Sequence, residues 1–156
     1  MAKRKLRNYP YEYVKMVCEN SGVMANKFPE QKWLIKHIID RVLRKLVDIQ
    51  NPIYVSKAAL VRAKELNINL KQLTWHNQTD VDPKRKIFHL EHCHPISELS
   101  ERIIKGEPFD VVRKDNFTAW ILKSEDNKLN KNGFRNKRPG GWKQCYKKCD
   151  IKVVKL

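Results

Sequence analysis

The chain has 156 residues, a length that fits one domain or one domain with a helical extension. Its 33 Lys and Arg outnumber its 17 Asp and Glu, which gives a formal net charge of +16 and predicts attraction to a polyanion. No apolar run approaches the length needed to span a bilayer, so we expect nucleic acid and not a membrane as the partner. The basic first residues are followed by Asn8-Tyr9-Pro10 instead of a signal peptide's apolar core, so we expect a cytoplasmic protein.

The first half of the chain, residues 1–80, is predicted to be a helical and basic region that supports the core or binds DNA. A short helix is expected around residues 11–19, and the strongest helical pattern extends over residues 29–50. Ser56 is a suitable N-cap for a helix over residues 56–66, and a short helix is expected over residues 70–75. The apolar stripe of the long helix contains Leu34, Ile38, Val42 and Leu46, with Ile35, Ile39 and Leu43 beside them.

The second half of the chain, residues 81–156, has a different pattern. Residues 77–84 are rich in turn formers and are predicted to be a linker. Beyond it we predict strands over residues 86–92 and 117–122, with a helix over residues 96–105 between them.

A helix with Ser124 as its N-cap is predicted to follow the second strand. A basic tail then contains a helix over residues 142–148 and a strand over residues 151–154. We therefore predict an α+β fold, with a helical N-terminal region, a strand–strand–helix core and a basic C-terminal extension.

A histidine-rich segment lies in the first of these strands. His89, Glu91, His92 and His94 precede Pro95 there. Side chains alternate along a strand, so His89 and Glu91 share one face while His92 lies on the other. An acid beside a histidine suits metal-assisted hydrolysis, because a carboxylate binds Mg²⁺ or Mn²⁺ and a neutral imidazole takes a proton from water.

Three short motifs in order resemble the HNH (His-Asn-His) endonucleases, which have the ββα-metal fold. They are Glu91-His92-Cys93-His94-Pro95, Asp115-Asn116-Phe117 and Lys123-Ser124-Glu125-Asp126-Asn127-Lys128. The resemblance covers residues 86–132, about a third of the chain, and is greatest to the variant of RNA-guided nucleases in which the final ligand is Asn. The acid-His-x-x-Pro motif has little specificity by itself, and its value comes from the order of all three motifs.

This resemblance implies a role for each matching residue. His92 would be the general base that activates water, and Asn116 would orient it. Glu91 and Asn127 would hold one Mg²⁺ or Mn²⁺ ion in each active site. The spacing from Asn116 to Asn127 is slightly longer than in that variant, which leaves as rival ligands Asp126, Glu125 and Asn130.

The implied activity is hydrolysis of DNA phosphodiester bonds by a restriction, phage or mobile-element type of endonuclease. Its partner would be double-stranded DNA, and double-strand cutting at one site would favour a homodimer. The residues that we predict to bind DNA are His94, Arg135, Lys137, Arg138 and Lys143. For His94, and equally for His89, a contact with phosphate or the metal and a surface or packing role are equal alternatives.

Two other classes of protein stay open. A non-catalytic nucleic-acid-binding protein would share the charge and would bind without cleaving. A zinc-stabilised interaction module would use Cys145 and Cys149, which share a helix face at a spacing of four. The second ligand pair of a structural zinc site is not evident in the sequence unless Cys93, His89 or His94 supplies it, so we expect no structural zinc and reduced, partly buried cysteines.

Overall fold

The computed structural model describes residues 11–48 and 50–156, which form a mixed α+β fold. At this level the predicted fold class is confirmed. The predicted basic N-terminal region begins with ten residues that lie outside the described part of the chain, as does Ile49. None of the described helices is both long and apolar enough to cross a membrane.

Two long helices open the described chain. Helix α1 (Tyr11–Lys27) is longer than predicted, because Gly22 does not end it. That glycine instead faces Ile103, whose carbonyl oxygen would lie 2.8 Å from a Cβ built there. After a single 3₁₀ turn, helix α2 (Lys32–Asp48) follows.

The most deeply buried residues of α2 are not those of the row Leu34, Ile38, Val42 and Leu46, which recur every four residues in the sequence. The fully buried residues of α2 are Ile39, Leu43 and Val47, whereas Leu34 and Ile38 are each 42% exposed. The α2 helix therefore packs on its neighbours through the residues that lie beside the predicted row.

A short strand that the sequence did not predict follows these helices. Strand β1 (Tyr54–Ser56) runs directly into helix α3 (Lys57–Glu65). The hydroxyl of Ser56 accepts a hydrogen bond from the Ala59 N–H at 3.0 Å, which confirms the predicted N-cap. The helix expected over residues 70–75 is wrong, since turns occupy that stretch.

The predicted linker is an ordered connection with its own short helix α4 (Gln78–Val81). The buried carboxylate of Asp82 accepts hydrogen bonds from the backbone N–H groups of Lys86, Ile87 and Phe88. Asp82 thereby fixes the start of the next strand.

The predicted strand–strand–helix order is present. Strand β2 (Phe88–His92) is followed by helices α5 (Ile96–Ile104) and α6 (Phe109–Val112) and then by strand β3 (Thr118–Leu122). Helix α7 (Lys123–Lys131) begins at once after β3.

The sequence predicted that Ser124 caps the N-terminus of α7, but in the structure it does not. The carboxylate of Glu125 accepts the Leu122 N–H at 2.8 Å and the Ser56 hydroxyl at 2.6 Å. Glu125 is thus a buried structural acid, which removes it as a rival metal ligand.

The chain ends with helix α8 (Trp142–Lys148) and strand β4 (Val153–Lys155), close to the predicted positions. The four described strands form one sheet in the order β2-β3-β1-β4. Strand β3 pairs antiparallel with β2 and parallel with β1, which also pairs antiparallel with β4. A strand of the first half therefore lies inside the sheet of the second half, across the predicted boundary at residue 80.

Candidate metal and nucleic-acid site

One histidine and two carboxylates come together where β2 meets α7. The Nε2 atom of His89 lies 3.1 Å from Oε2 of Glu91 and 3.6 Å from Oδ1 of Asp126. In the described residues these three side chains are the one group of His, Cys, Asp and Glu with donor atoms close enough to share a metal, all within 4.8 Å.

The strand register explains this grouping. His89 and Glu91 are two apart on β2 and so share a face, as the sequence predicted. Phe88 lies opposite Leu122 in the antiparallel pair, so the start of α7 lies beside the start of β2. Asp126, in the first turns of α7, then projects toward the two β2 side chains.

Both carboxylates of this group are buried, and each has a cationic partner. Glu91 is 9% exposed and Asp126 is 7% exposed. Arg138 donates from Nη2 to Oε1 of Glu91, and Lys123 donates from Nζ to Oδ2 of Asp126 at 2.9 Å. Buried carboxylates need such partners, because an unpaired buried charge is costly.

Lys123 also fixes the hydrogen-bonding state of His89. Its Nζ lies 3.4 Å from Nδ1 of His89. An ammonium group has only donors, so Nδ1 is the accepting nitrogen and Nε2 donates to Glu91. His89 can ligate a cation through Nε2 once its proton moves to Nδ1 and Lys123 withdraws.

His92 lies on the other face of β2 but lines the same cavity. Burial, together with a smaller effect of the positive charge of Arg44 on α2, lowers the pKa of His92 to about 3. The imidazole is therefore neutral at physiological pH. Its Nδ1 atom is buried and has no hydrogen-bond partner among the described residues.

Asn116 does not contact His92 in the way that the resemblance implies. Its Nδ2 donates to the carbonyl oxygen of Leu43 at 3.0 Å, which ties the chain before β3 to α2. Its buried Oδ1 has no partner in the described part of the chain, like Nδ1 of His92. The structure thus gives Asn116 a bridging role between the helical half and the sheet.

Asp126, and not Asn127, joins His89 and Glu91. Asn127 is exposed and lines the cavity one position farther along α7. Asn130 also lines it and donates to Oδ1 of Asp126 at 3.3 Å. For His89, whose alternation with Glu91 was visible in the sequence, the structure favours the metal contact over the surface or packing role that the sequence left equally open.

The predicted DNA-binding residues do not form one surface. His94 packs edge-on against Phe117 at 5.5 Å, and burial lowers its pKa, which agrees with the packing alternative. Arg138 was expected on an exposed basic face, but it is only 5% exposed and is bound to Glu91.

The other three predicted DNA-binding residues are exposed, and their positions differ. Arg135 lines the cavity of the metal-binding group. Lys143 lines a separate depression beside Trp142. Lys137 is exposed but is not among the residues that line either cavity.

All four cysteines are free and buried. Cys145 and Cys149 pack with Cys93 in an apolar cluster under α8. Burial raises the pKa of Cys93 to about 12, which keeps it a neutral thiol.

The cavity over the metal-binding group has a volume of about 690 Å³. Residues of β2, α7, the N-terminus of α5, the segment before α8, and α2 line this cavity. The α2 residues that line it are Asp40, Arg41, Arg44, Lys45 and Asp48.

Comparison of the chain with protein-family models found no match, and neither did comparisons with the curated proteins and with the solved structures.

Proposed function

We propose that this protein is a metal-dependent DNA endonuclease of the HNH type, which hydrolyses phosphodiester bonds. The observation that carries the proposal is the grouping of His89, Glu91 and Asp126 on a strand–strand–helix unit, with His92 in the same cavity. The net charge of +16 supports a polyanionic substrate independently.

The donor set fits one divalent cation. Ligand atoms about 2.1 Å from an octahedral ion are about 3.0 Å apart, which is close to the 3.1 Å from His89 Nε2 to Glu91 and shorter than the 3.6 Å to Asp126. Two carboxylates favour Mg²⁺ or Mn²⁺, and the imidazole makes Mn²⁺ the better accepted of the two. A bound ion would stabilise the negative charge that develops on the phosphate.

The protein side chains would divide the remaining work. The neutral imidazole of His92, which lines the cavity, would take the proton of the attacking water. Arg138 would hold the carboxylate of Glu91 in place from behind. Asn116 would keep α2 against the sheet, so that the cavity retains its shape.

Plasmid cleavage with Mg²⁺ or Mn²⁺ tests the proposal. We expect the wild-type protein to cut and His92→Ala to cut at least about a hundredfold more slowly, as is typical for loss of a general base. DNA binding, measured without metal, should be the same for both proteins. Binding without cleavage by the wild type under either metal would exclude the endonuclease.

The second candidate is a non-catalytic nucleic-acid-binding protein. One observation favours it: the two carboxylates of the group are already charge-compensated by Arg138 and Lys123 without an ion. This candidate predicts salt-sensitive binding of DNA with no effect of Mn²⁺ on the protein. A titration of Mn²⁺ against the protein alone therefore separates the two candidates.

A further inference from the structure

Helix α2 forms a wall of the cavity that holds the metal-binding group. Its side chains at positions 40, 41, 44, 45 and 48 line that cavity, at intervals of three and four that put them on one face of the helix. The opposite, apolar face packs against the core through Ile39 and Leu43. The fold turns this charged side of the helix toward β2 and α7.

The acids on this wall are neutralised within the protein. Asp40 accepts a hydrogen bond from the Ser100 hydroxyl and lies 3.5 Å from Nζ of Lys36. Asp48 is paired with Lys45 at 3.1 Å. Neither acid is therefore available to balance the arginines of the same wall.

The arginines have no acidic partner in residues 11–48 and 50–156. Arg41 makes only a 3.5 Å contact with His37, and Arg44 makes no ion pair with a described acid. Both are exposed, and exposed Arg135 adds a third such guanidinium from the segment before α8. Three exposed guanidinium groups around one cavity, unpaired within the described chain, favour an anion with several oxygen atoms, since a guanidinium pairs with phosphate through two parallel hydrogen bonds.

The position of Arg44 connects this wall with the reaction. Arg44 and His92 line the same cavity as His89 and Glu91. A phosphodiester placed between the metal-binding group and His92 would therefore extend its neighbouring phosphates toward α2.

We propose that Arg41 and Arg44 of α2 bind the DNA backbone next to the phosphate that is cleaved. This inference rests on the proposed function for its substrate. It assigns part of DNA binding to the helical half of the chain, outside the segment that carries the HNH resemblance. The α2 wall then works as a clamp that positions the strand, while β2 and α7 supply the chemistry.

The test compares two double variants with the same change of charge. Arg41→Gln/Arg44→Gln alters the wall, and Arg62→Gln/Lys64→Gln is the control, because those two cations are exposed on α3 and do not line the cavity. Binding of a fluorescein-labelled mixed-sequence duplex is measured by anisotropy without metal over a range of salt concentrations. A duplex RNA of the same length is run in parallel.

We expect the α2 variant to bind DNA at least about tenfold more weakly at low salt. The slope of log affinity against log salt should become shallower by about 2, one for each phosphate that the missing arginines would neutralise. The control should keep the wild-type slope. Equal slopes for the two double variants would overturn the inference, and a loss confined to RNA would overturn DNA as the partner.

Cleavage kinetics separate this inference from the proposed function. If the wild type cuts DNA, the α2 variant should raise KM at least about tenfold and leave kcat within about threefold. Cleavage with an unchanged KM would overturn the clamp while the endonuclease stands. If the wild type never cuts DNA but the α2 variant still shows the shallower salt slope, the endonuclease is overturned and the binding surface is supported.

Discussion

Arg138 reaches from the segment before α8 to Glu91 on β2, 47 residues earlier, and donates to its carboxylate inside the protein. The side chains are 2% and 12% exposed. The backbone N–H of Arg138 also donates to Glu98 at 2.9 Å, which anchors this segment to α5. The basic tail therefore completes the candidate site from behind instead of only extending the positive surface.

This ion pair predicts a large loss of stability in Arg138→Met. Removal of the guanidinium leaves the Glu91 charge buried and uncompensated, so the free energy of unfolding should fall by about 3–5 kcal/mol. Urea unfolding followed by circular dichroism measures it. Arg135→Met, an exposed residue of the same segment, is the matched control and should change stability by at most about 0.5 kcal/mol. Similar values for the two variants would contradict the structural role of Arg138.

The position of Lys123 predicts that its ammonium group competes with the metal ion for this site. Its ammonium group contacts both Asp126 and His89, so it occupies the charge environment that a cation needs. Lys123→Met should bind Mn²⁺ about fivefold more tightly, since a unit charge at this range is worth on the order of 1 kcal/mol in a solvated setting. Electron paramagnetic resonance of free Mn²⁺ measures the affinity without DNA. Lys128→Met, exposed on the same helix, should not change it, and weaker binding by Lys123→Met would refute competition.

The identity of the last metal ligand is a further prediction. Asp126 lies with His89 and Glu91, whereas Asn127 is exposed at the cavity wall. Asp126→Asn should therefore raise the Mn²⁺ concentration for half-maximal binding at least about tenfold, and Asn127→Ala should change it less than about threefold. The reverse order would restore the Asn ligand that the HNH resemblance implies. Circular dichroism of both variants checks that neither effect comes from unfolding.

The buried cysteines predict a dependence of stability on alkaline pH. Burial raises the pKa of Cys18 and Cys93 from 9.0 to about 12. Because the folded-state pKa lies above the unfolded value, this contribution to stability is complete below pH 9 and is lost as the pH rises toward 12. Urea midpoints from pH 8 to pH 11 should fall less steeply in Cys18→Ala than in the wild type.

Thiol alkylation gives an independent readout of the same burial. At pH 8, iodoacetamide should label Cys18 and Cys93 in urea but not in the native protein, because the reactive species is the thiolate. Mass spectrometry of peptides locates the label. Rapid labelling of either cysteine in the native protein would contradict the burial and the raised pKa.

Local periodicity was enough for several features of this protein. The alternation along β2 put His89 and Glu91 on one face, and Ser56 was correctly identified as the cap of α3. The bounds of α8 also agreed with the pattern of the tail. These features depend on neighbours within a few residues, so the sequence carries them directly.

Contacts between distant residues decided the rest. Strand β1 has only three residues, too short for an alternating pattern, and it is a strand because β3 and β4 pair with it. Asp126 faces His89 because Glu125 binds Leu122 and Ser56 and so sets the rotation of α7. Arg138 looks like a surface arginine until the fold brings Glu91 beside it.

Charge and local motif therefore determined the kind of chemistry to look for and most of the elements that carry it. Which carboxylate joins His89, and which arginines face the cavity, depended on helix rotation and strand register. Those are fixed by packing and hydrogen bonds between residues that are far apart in the chain. No local pattern records them, since a helix presents every side in turn and only its neighbours select the side that is buried.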